Sequence, residues 1–274
     1  ARGKGVVQIK VMGGPEAIKM FEQPNAVRDG VVDMVHTHGS FYGAAVPEID
    51  AMVASTKNAT EARANGGTAM MDAAHQKRFN VKYLAWIDSG VGFNIFTVNE
   101  PKFRSSDGVL DMGGVKMRDN PIYTAFLKSL EATTSPMPST EVYGALEKGV
   151  IDAAPWTTIG ITDLKWNKFL NYMVEPSFYS TDLGIIVNLD RWNGLSAEAK
   201  AILQDVAIEW EQKSHNDRKA DISKYKAAYK EGGMDFVSHS DSGGANYLKL
   251  AYDSVWARAT ERMTDTVSYT HLTL

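Results

Sequence analysis

The chain has 274 residues, room for one or two domains with a sizeable buried core. Hydrophobic residues make up 44% and charged residues 23%, which excludes a disordered, collagen-like or disulfide-stapled chain. A net charge of −4 argues against nucleic-acid binding, and zero cysteine excludes disulfides, Cys-ligated zinc, iron–sulfur clusters and thiol catalysis.

No apolar run approaches the roughly 18 residues that a membrane helix needs. Val6-Val7-Gln8-Ile9-Lys10-Val11 alternates and is β-branched, so it reads as a strand, broken by Gly13-Gly14-Pro15. A short helix from Glu22 to Arg28 and a strand over Val31–His36 follow, and this order predicts a βαβ unit in a parallel sheet. Residues 59–79 are helical in composition, with Gly66-Gly67 inside. Strands are expected over Val81–Ile87, Gly92–Val98 and Val115–Arg118, and Asp88–Gly92 is a plausible crossing point between lobes.

After Arg118 a helix is well punctuated. Asp119 or Asn120 can cap it, Pro121 suits its first position, and Ile122, Phe126 and Leu130 line one face. A second helix runs from Ser139 or Thr140 to Lys148 and is closed by Gly149. Val150–Ala154 is a strand ending in Pro155-Trp156, and Leu183–Asn188 is apolar enough to be buried on both faces. From Ser196 a helical pattern continues to Gly232-Gly233, a length of roughly 54 Å that bends or passes from one lobe to another. Residues 244–264 are again helical, and there are no repeats and no low-complexity linker. Two α/β lobes joined without a flexible linker commonly hold a ligand cleft between them.

Arg118 is the most informative single residue. It stands at a strand end directly before a capped helix start, where a guanidinium and free N–H groups together suit a carboxylate; the plainer alternative is a surface ion pair. His36 and His38 point to one face of a strand, as a metal pair would, but no third ligand stands at convincing spacing, so a pocket-lining role is favoured and no metal is expected. Phe41, Tyr42, Phe93, Trp156 and Tyr179 follow strands or lie in loops, the end of an open α/β sheet where ligands bind. GxSxG, GxxxxGK[ST], HExxH and GxGxxG signatures are missing. Asp152 and Asp182 are candidate general bases with no nucleophile suggested nearby.

One set of motifs is specific. Gly113–Arg118, Asn120-Pro121-Ile122-Tyr123, Ser135-Pro136-Met137-Pro138 and Glu141–Asp152, with Gly13–Glu16, Gly30–Met34 and Val46-Pro47-Glu48 upstream, closely resemble the substrate-binding proteins of tripartite ATP-independent periplasmic (TRAP) transporters. The resemblance runs from about residue 6 to about residue 260 with the motif order kept. It implies a two-lobed periplasmic-binding-protein-like α/β fold, with a ligand cleft between the lobes and a long helix spanning them. Lobe one would be residues 1–90 and 181–221, and lobe two 91–180 and 222–274.

The resemblance also implies a function: capture of a small carboxylate in the periplasm for a TRAP membrane permease, with no cofactor and no chemistry on the ligand. In that family an arginine at the position of Arg118 pairs with the ligand carboxylate. Asn94 stands where many relatives carry a second arginine, and Trp156 matches a pocket-lining tryptophan of the oxo-acid type. Pro155 replaces a glutamate that helps some relatives hold a cation, and Ser139 replaces an aromatic. First-lobe contacts would come from His38, Phe41 and Tyr42, and Asp182 is a further candidate ligand contact. The alternatives are an enzyme using His36, His38 or Asp182 as acid or base, and a carboxylate sensor.

Relative to that family a first strand–helix unit would be missing before Val6, either a truncation or a fragment, which predicts an open edge in lobe one. The tail Val267–Leu274 resembles nothing in the family and reads as an artefact of the sequence end.

Overall fold

The computed structural model describes residues 2, 3 and 5–263; the unusual tail lies outside them. In chain order the elements are α1 (Gln23–Arg28), β1 (Met34–His38), α2 (Ile49–Val53), α3 (Ala59–Ala64), α4 (Gly67–Phe79), β2 (Val81–Trp86), β3 (Phe93–Thr97), β4 (Lys102–Phe103), β5 (Leu110–Asp111), β6 (Lys116–Asp119), α5 (Thr124–Ser129), β7 (Thr133–Pro136), α6 (Ser139–Glu147), β8 (Ala153–Thr157), β9 (Tyr172–Glu175), β10 (Leu183–Asn188), α7 (Leu189–Gly194), α8 (Ala197–Glu231), β11 (Asp235–Ser238) and α9 (Asp241–Arg262). They fall into two compact units. One gathers the residues up to Gly90 with Asp182–Asp217, the other Val91–Thr181 with the described residues from Arg218 on.

The first unit is built on a three-stranded sheet in the order β1-β10-β2. The apolar run Leu183–Asn188 takes the middle place because it can be covered on both faces; Ile186 and Val187 are buried. Both of its pairings are antiparallel, which corrects the parallel βαβ unit expected here. The reason lies in the partner: β1 pairs with a strand nearly 150 positions later, Val35 opposite Ile186, and not with Val6–Val11. That segment forms no strand, and Ile9 and Val11 are 67% and 83% exposed. Alternation alone does not make a strand when no sheet edge receives it. The strand expected over Val31–His36 begins three residues later, at Met34.

Helical composition over 59–79 resolves into two helices. Asn58 caps α3 in a reciprocal capping box with Glu61, and Gly66, at φ +90°, makes the left-handed break that starts α4. The first half of α8 is tied into this unit by Glu211. Its buried carboxylate takes both nitrogens of an Arg63 fork, at 2.7 and 2.8 Å, and the Trp86 N–H at 2.8 Å. Ser214 and His215, one turn on, hold Asp88 N and Ser89 O, so the segment that follows β2 is also fastened to α8.

The second unit carries a six-stranded mixed sheet in the order β11-β9-β3-β8-β6-β7. Parallel pairing occurs in this unit instead: β6 pairs in parallel with β7 on one side and β8 on the other, and α5 and α6 are the crossovers. Phe96, Val142, Leu146, Ile151, Trp166, Met173 and Tyr229 form a core on one side of the sheet. Tyr229 comes from the second half of α8, so this helix of 35 residues contributes to both units.

The helix after Arg118 differs from expectation. Pro121 is not its first residue; Asn120 Oδ1 accepts from Ile122 N at 3.1 Å and Tyr123 N bonds back to Asn120 O, a turn that consumes those N–H groups. The helix proper starts at Thr124 and is six residues long. Arg258 of α9 closes the turn by donating to Pro121 O at 2.7 Å and Ile122 O at 3.3 Å.

Candidate functional site

Arg118 lies near the C-terminal end of β6 and is 1% exposed. A buried guanidinium must be satisfied or it is costly. Its Nε donates to Met137 O, just past β7, at 3.2 Å. Its Nη1 donates to the Tyr123 hydroxyl and, at 3.4 Å, to Pro155 O in β8. These acceptors are all neutral. Nη2 is buried and has no hydrogen-bond partner among the described residues. The adjacent carboxylate is directed elsewhere: Asp119 Oδ1 accepts from Asn120 N at 2.7 Å and Thr124 Oγ1 at 3.0 Å. Burial raises the Asp119 carboxyl, against these two bonds and the nearby Arg118.

The sheet makes room for this arrangement. β8 pairs with β6 only at Ala153, opposite Met117. Pro155, two residues on, has no N–H to continue the ladder. Its carbonyl instead accepts the Tyr123 hydroxyl at 3.0 Å and Arg118 Nη1. The guanidinium therefore sits at the C-terminal edge of three parallel strands, where α/β sheets present ligand groups. The rings of Trp156 and Tyr123 lie 5.5 and 5.7 Å from its carbon. Burial also raises the Tyr123 phenol, opposed by Arg118, so it keeps the proton it donates to Pro155. The helix dipole expected to assist Arg118 is a minor partner, since the first N–H groups of the turn are already bonded within it.

Asn94, on β3 opposite Trp156, is 1% exposed. Its amide donates to Val174 O at 2.8 Å and accepts from Thr158 Oγ1 at 2.7 Å, which leaves one N–H beyond these structural bonds. Trp156 is half-buried and packs edge-on against Trp166.

In the first unit His38 and Asp182 come together. His38 Nδ1 is 2.7 Å from Asp182 Oδ1, and Ser40 N donates to the other carboxylate oxygen at 2.5 Å. Gly39 N donates to the Asp182 carbonyl at 3.0 Å. Burial raises this carboxyl, but His38 and the Ser40 N–H outweigh it and hold it below its ordinary range. The pair thus stabilises the unit above the range where a free carboxyl titrates, and that contribution is lost as pH falls through the lowered value. Asp182 is fully buried while His38 is 22% exposed at its side chain, so the aspartate orients and the imidazole faces outward. Replacing Asp182 by alanine is expected to cost about 2 kcal/mol of stability, because Ser40 N–H and the His38 ring lose a charged acceptor. Urea unfolding of the two proteins checks it; equal midpoints and slopes would contradict the role.

Phe41 meets Phe21 edge-on and His38 at a tilt, at 4.8 and 5.2 Å between centroids. Tyr42 points into the core. It lies flat on Phe79 and its hydroxyl meets His75 Nε2 at 3.0 Å. His75 Nδ1 faces Met71 O at 2.7 Å, which fixes the proton on Nδ1 and makes Nε2 the acceptor of the tyrosine proton. His36 is exposed, and among the described residues no three metal-ligating side chains cluster. Sequence reasoning does not single out Tyr123 or the carbonyls of Met137 and Pro155 as parts of the site. Backbone acceptors leave no side-chain signal; the usable hint is a proline inside a strand that must be central.

Comparison with known proteins agrees with this fold. The family model described as bacterial extracellular solute-binding protein, family 7 (DctP), matches residues 1–261. The chain is 26% identical over 261 residues to a monocarboxylate 2-oxoacid-binding periplasmic protein of Nostoc sp., covering 91% of this chain and 69% of that one. Among solved structures it resembles a Bordetella pertussis extracytoplasmic solute receptor binding pyroglutamic acid, with a TM-score of 0.81, 17% identity and coverage of 95% and 85% of the two chains. A TRAP transporter solute-binding protein of Bordetella bronchiseptica, with copurified calcium and picolinate, gives a TM-score of 0.81 at 21% identity, over 95% and 78%. These two likenesses establish the fold. No helix among the described residues is long and apolar enough to cross a membrane. The match over nearly the whole chain and the two-lobed α/β architecture place this chain in family 7 of the bacterial extracellular solute-binding proteins, the receptors of TRAP transporters.

Proposed function

We propose that this chain captures a small organic acid in the periplasm and hands it to the membrane permease of a TRAP transporter, without altering it. The observation that carries the ligand class is the buried Arg118 guanidinium, held by neutral groups and with Nη2 unpartnered among the described residues. A carboxylate supplies the charge that such a group lacks. The names of the relatives support the same class, since a 2-oxoacid, pyroglutamic acid and picolinate each carry a carboxylate. Trp156 and the remaining Asn94 N–H would flank the acid in the second unit; in the first unit His38, oriented by Asp182, packs with Phe41, while Tyr42 turns away into the core. A general-base role for Asp182 itself is disfavoured, because its carboxylate is fully buried and already bonded to both His38 and Ser40.

A thermal-shift screen with pyruvate, pyroglutamate, malonate and picolinate tests the reading. An acid present at 100 times its Kd adds about 2.7 kcal/mol to native stability and raises the melting temperature by several degrees. No shift with any mono- or dicarboxylate would contradict it. The acid that binds is also expected to be recovered unchanged.

Cation dependence is a second expected result. The Pro155 side chain offers no oxygen, and its carbonyl is taken by Arg118 and Tyr123. Affinity in chelator-treated protein should therefore stay the same when calcium or sodium is added back. A large gain with either ion would show that some other oxygen holds a cation beside the ligand.

A further inference from the structure

We propose that Tyr123 is the positioning residue of the acid site: by bridging Arg118 Nη1 and the Pro155 carbonyl it turns the guanidinium so that Nη2 faces the ligand. This rests on the carboxylate reading above and adds a residue and a geometry to it.

A guanidinium has five N–H donors and binds a carboxylate best along an edge formed by two nitrogens. In this protein two of the three nitrogens are already engaged. Nε is bonded to Met137 O at 3.2 Å. Nη1 donates to the Tyr123 hydroxyl and to Pro155 O. The hydrogens of Nη2 remain, buried and unpartnered among the described residues. An acid binding here accepts from Nη2.

Tyr123 is built to set that direction. Its hydroxyl accepts from Nη1 and donates to Pro155 O at 3.0 Å, so the oxygen is fixed from both sides. Its ring is 1% exposed and meets Phe93 and Phe178 edge-on, at 5.7 and 6.4 Å between centroids. The turn that carries it is tied down on either side, by Asn120 within the turn and by Arg258 at the carbonyls of Pro121 and Ile122. Pro155 completes the device, because a residue with an N–H could extend the pairing toward β6 and draw that carbonyl into the ladder. With phenylalanine at 123 the ring remains and the bridge is lost. Nη1 then keeps only the long contact to Pro155, and the guanidinium is free to turn about its side chain.

Two readouts separate this role from simple packing. The first needs no ligand. In ligand-free protein labelled with nitrogen-15, the Arg118 side-chain signals, assigned by their loss in Arg118→Lys, should show Nη1 and Nη2 as separate resonances. Tyr123→Phe should merge or broaden them while the melting temperature and circular dichroism stay near wild type. Separate resonances that persist in Tyr123→Phe would overturn the proposal. The second is a double-mutant cycle with the acid from the panel above that gives the largest thermal shift. Tyr123→Phe should weaken binding about tenfold in the wild-type background, the scale of one hydrogen bond, and by less than twofold in Arg118→Lys. An equal loss in both backgrounds would mean that Tyr123 acts on the fold or on the ligand and not through Arg118. Full binding by Arg118→Ala would instead remove the carboxylate anchor itself, a failure of the function reading; the ligand-free resonances would still decide whether Tyr123 orients the guanidinium.

Discussion

Replacing Arg118 by alanine is expected to weaken capture of the acid strongly. The guanidinium is buried, and an ion pair formed there with a ligand is desolvated, so truncating one partner costs roughly 2–5 kcal/mol, or about thirtyfold to several thousandfold in Kd. Arg118→Lys should recover only part of it. An ammonium keeps the charge, but one nitrogen cannot reach Met137 O, Tyr123 and Pro155 while also meeting a carboxylate. Removing the arginine from the ligand-free protein should be far less costly to the fold, because its acceptors are neutral and one nitrogen is already unpartnered among the described residues. Isothermal calorimetry with the best acid of the screen reads the affinity, and thermal unfolding reads the fold. Unchanged affinity in the alanine variant would contradict the assignment of the anchor.

The first unit is expected to be sensitive to acid through His75. That ring is fully buried, and burial lowers it from 6.5 to about 4, opposed by the Met71 carbonyl and by Asp72. Between those two values the unfolded chain holds a proton that the native ring does not. Stability therefore falls as pH drops from 6.5 toward 4, and a shift of this size is worth about 3 kcal/mol. Above pH 6.5 the term is absent, since both states are neutral. Buried carboxylates add to the acid loss, so the variant is the control. His75→Gln removes the titrating group while keeping a donor toward Met71 and an acceptor toward Tyr42. Urea unfolding at pH 7 and pH 4.5 should show a smaller drop for His75→Gln than for wild type, by about 2–3 kcal/mol. Equal drops would mean that this histidine does not carry the effect.

The parts of this fold that can be read from the sequence are those whose signal is local. Leu183–Asn188 is a continuous apolar run, and it is the central strand of its sheet. Ser196 to Gly232 keeps a helical pattern without a breaker, and α8 runs from Ala197 to Glu231. Arg118 stands out because a strand end, a turn and a proline follow one another in a few residues. What escapes depends on distant partners. Val6–Val11 alternates as well as many strands do, yet β10 takes the place beside β1. Tyr42 and Phe41 are neighbours in sequence, but one packs on Phe79 and reaches His75 while the other lies against His38. The neutral cradle of Arg118 joins β6, β7 and β8 through two carbonyls, and nothing in the side chains of Met137 or Pro155 announces that their oxygens are acceptors.

The central claim is that a carboxylate is recognised, and that Arg118 recognises it. Calorimetry on a matched pair tests this most directly: the best acid of the screen and its primary carboxamide, which keeps the size and shape but not the charge. The wild-type protein is expected to bind the acid and to bind the amide at least a hundredfold more weakly, a gap of about 2.7 kcal/mol. In Arg118→Ala that gap should close. Equal binding of acid and amide by the wild type, or a gap that survives the loss of Arg118, would contradict the account.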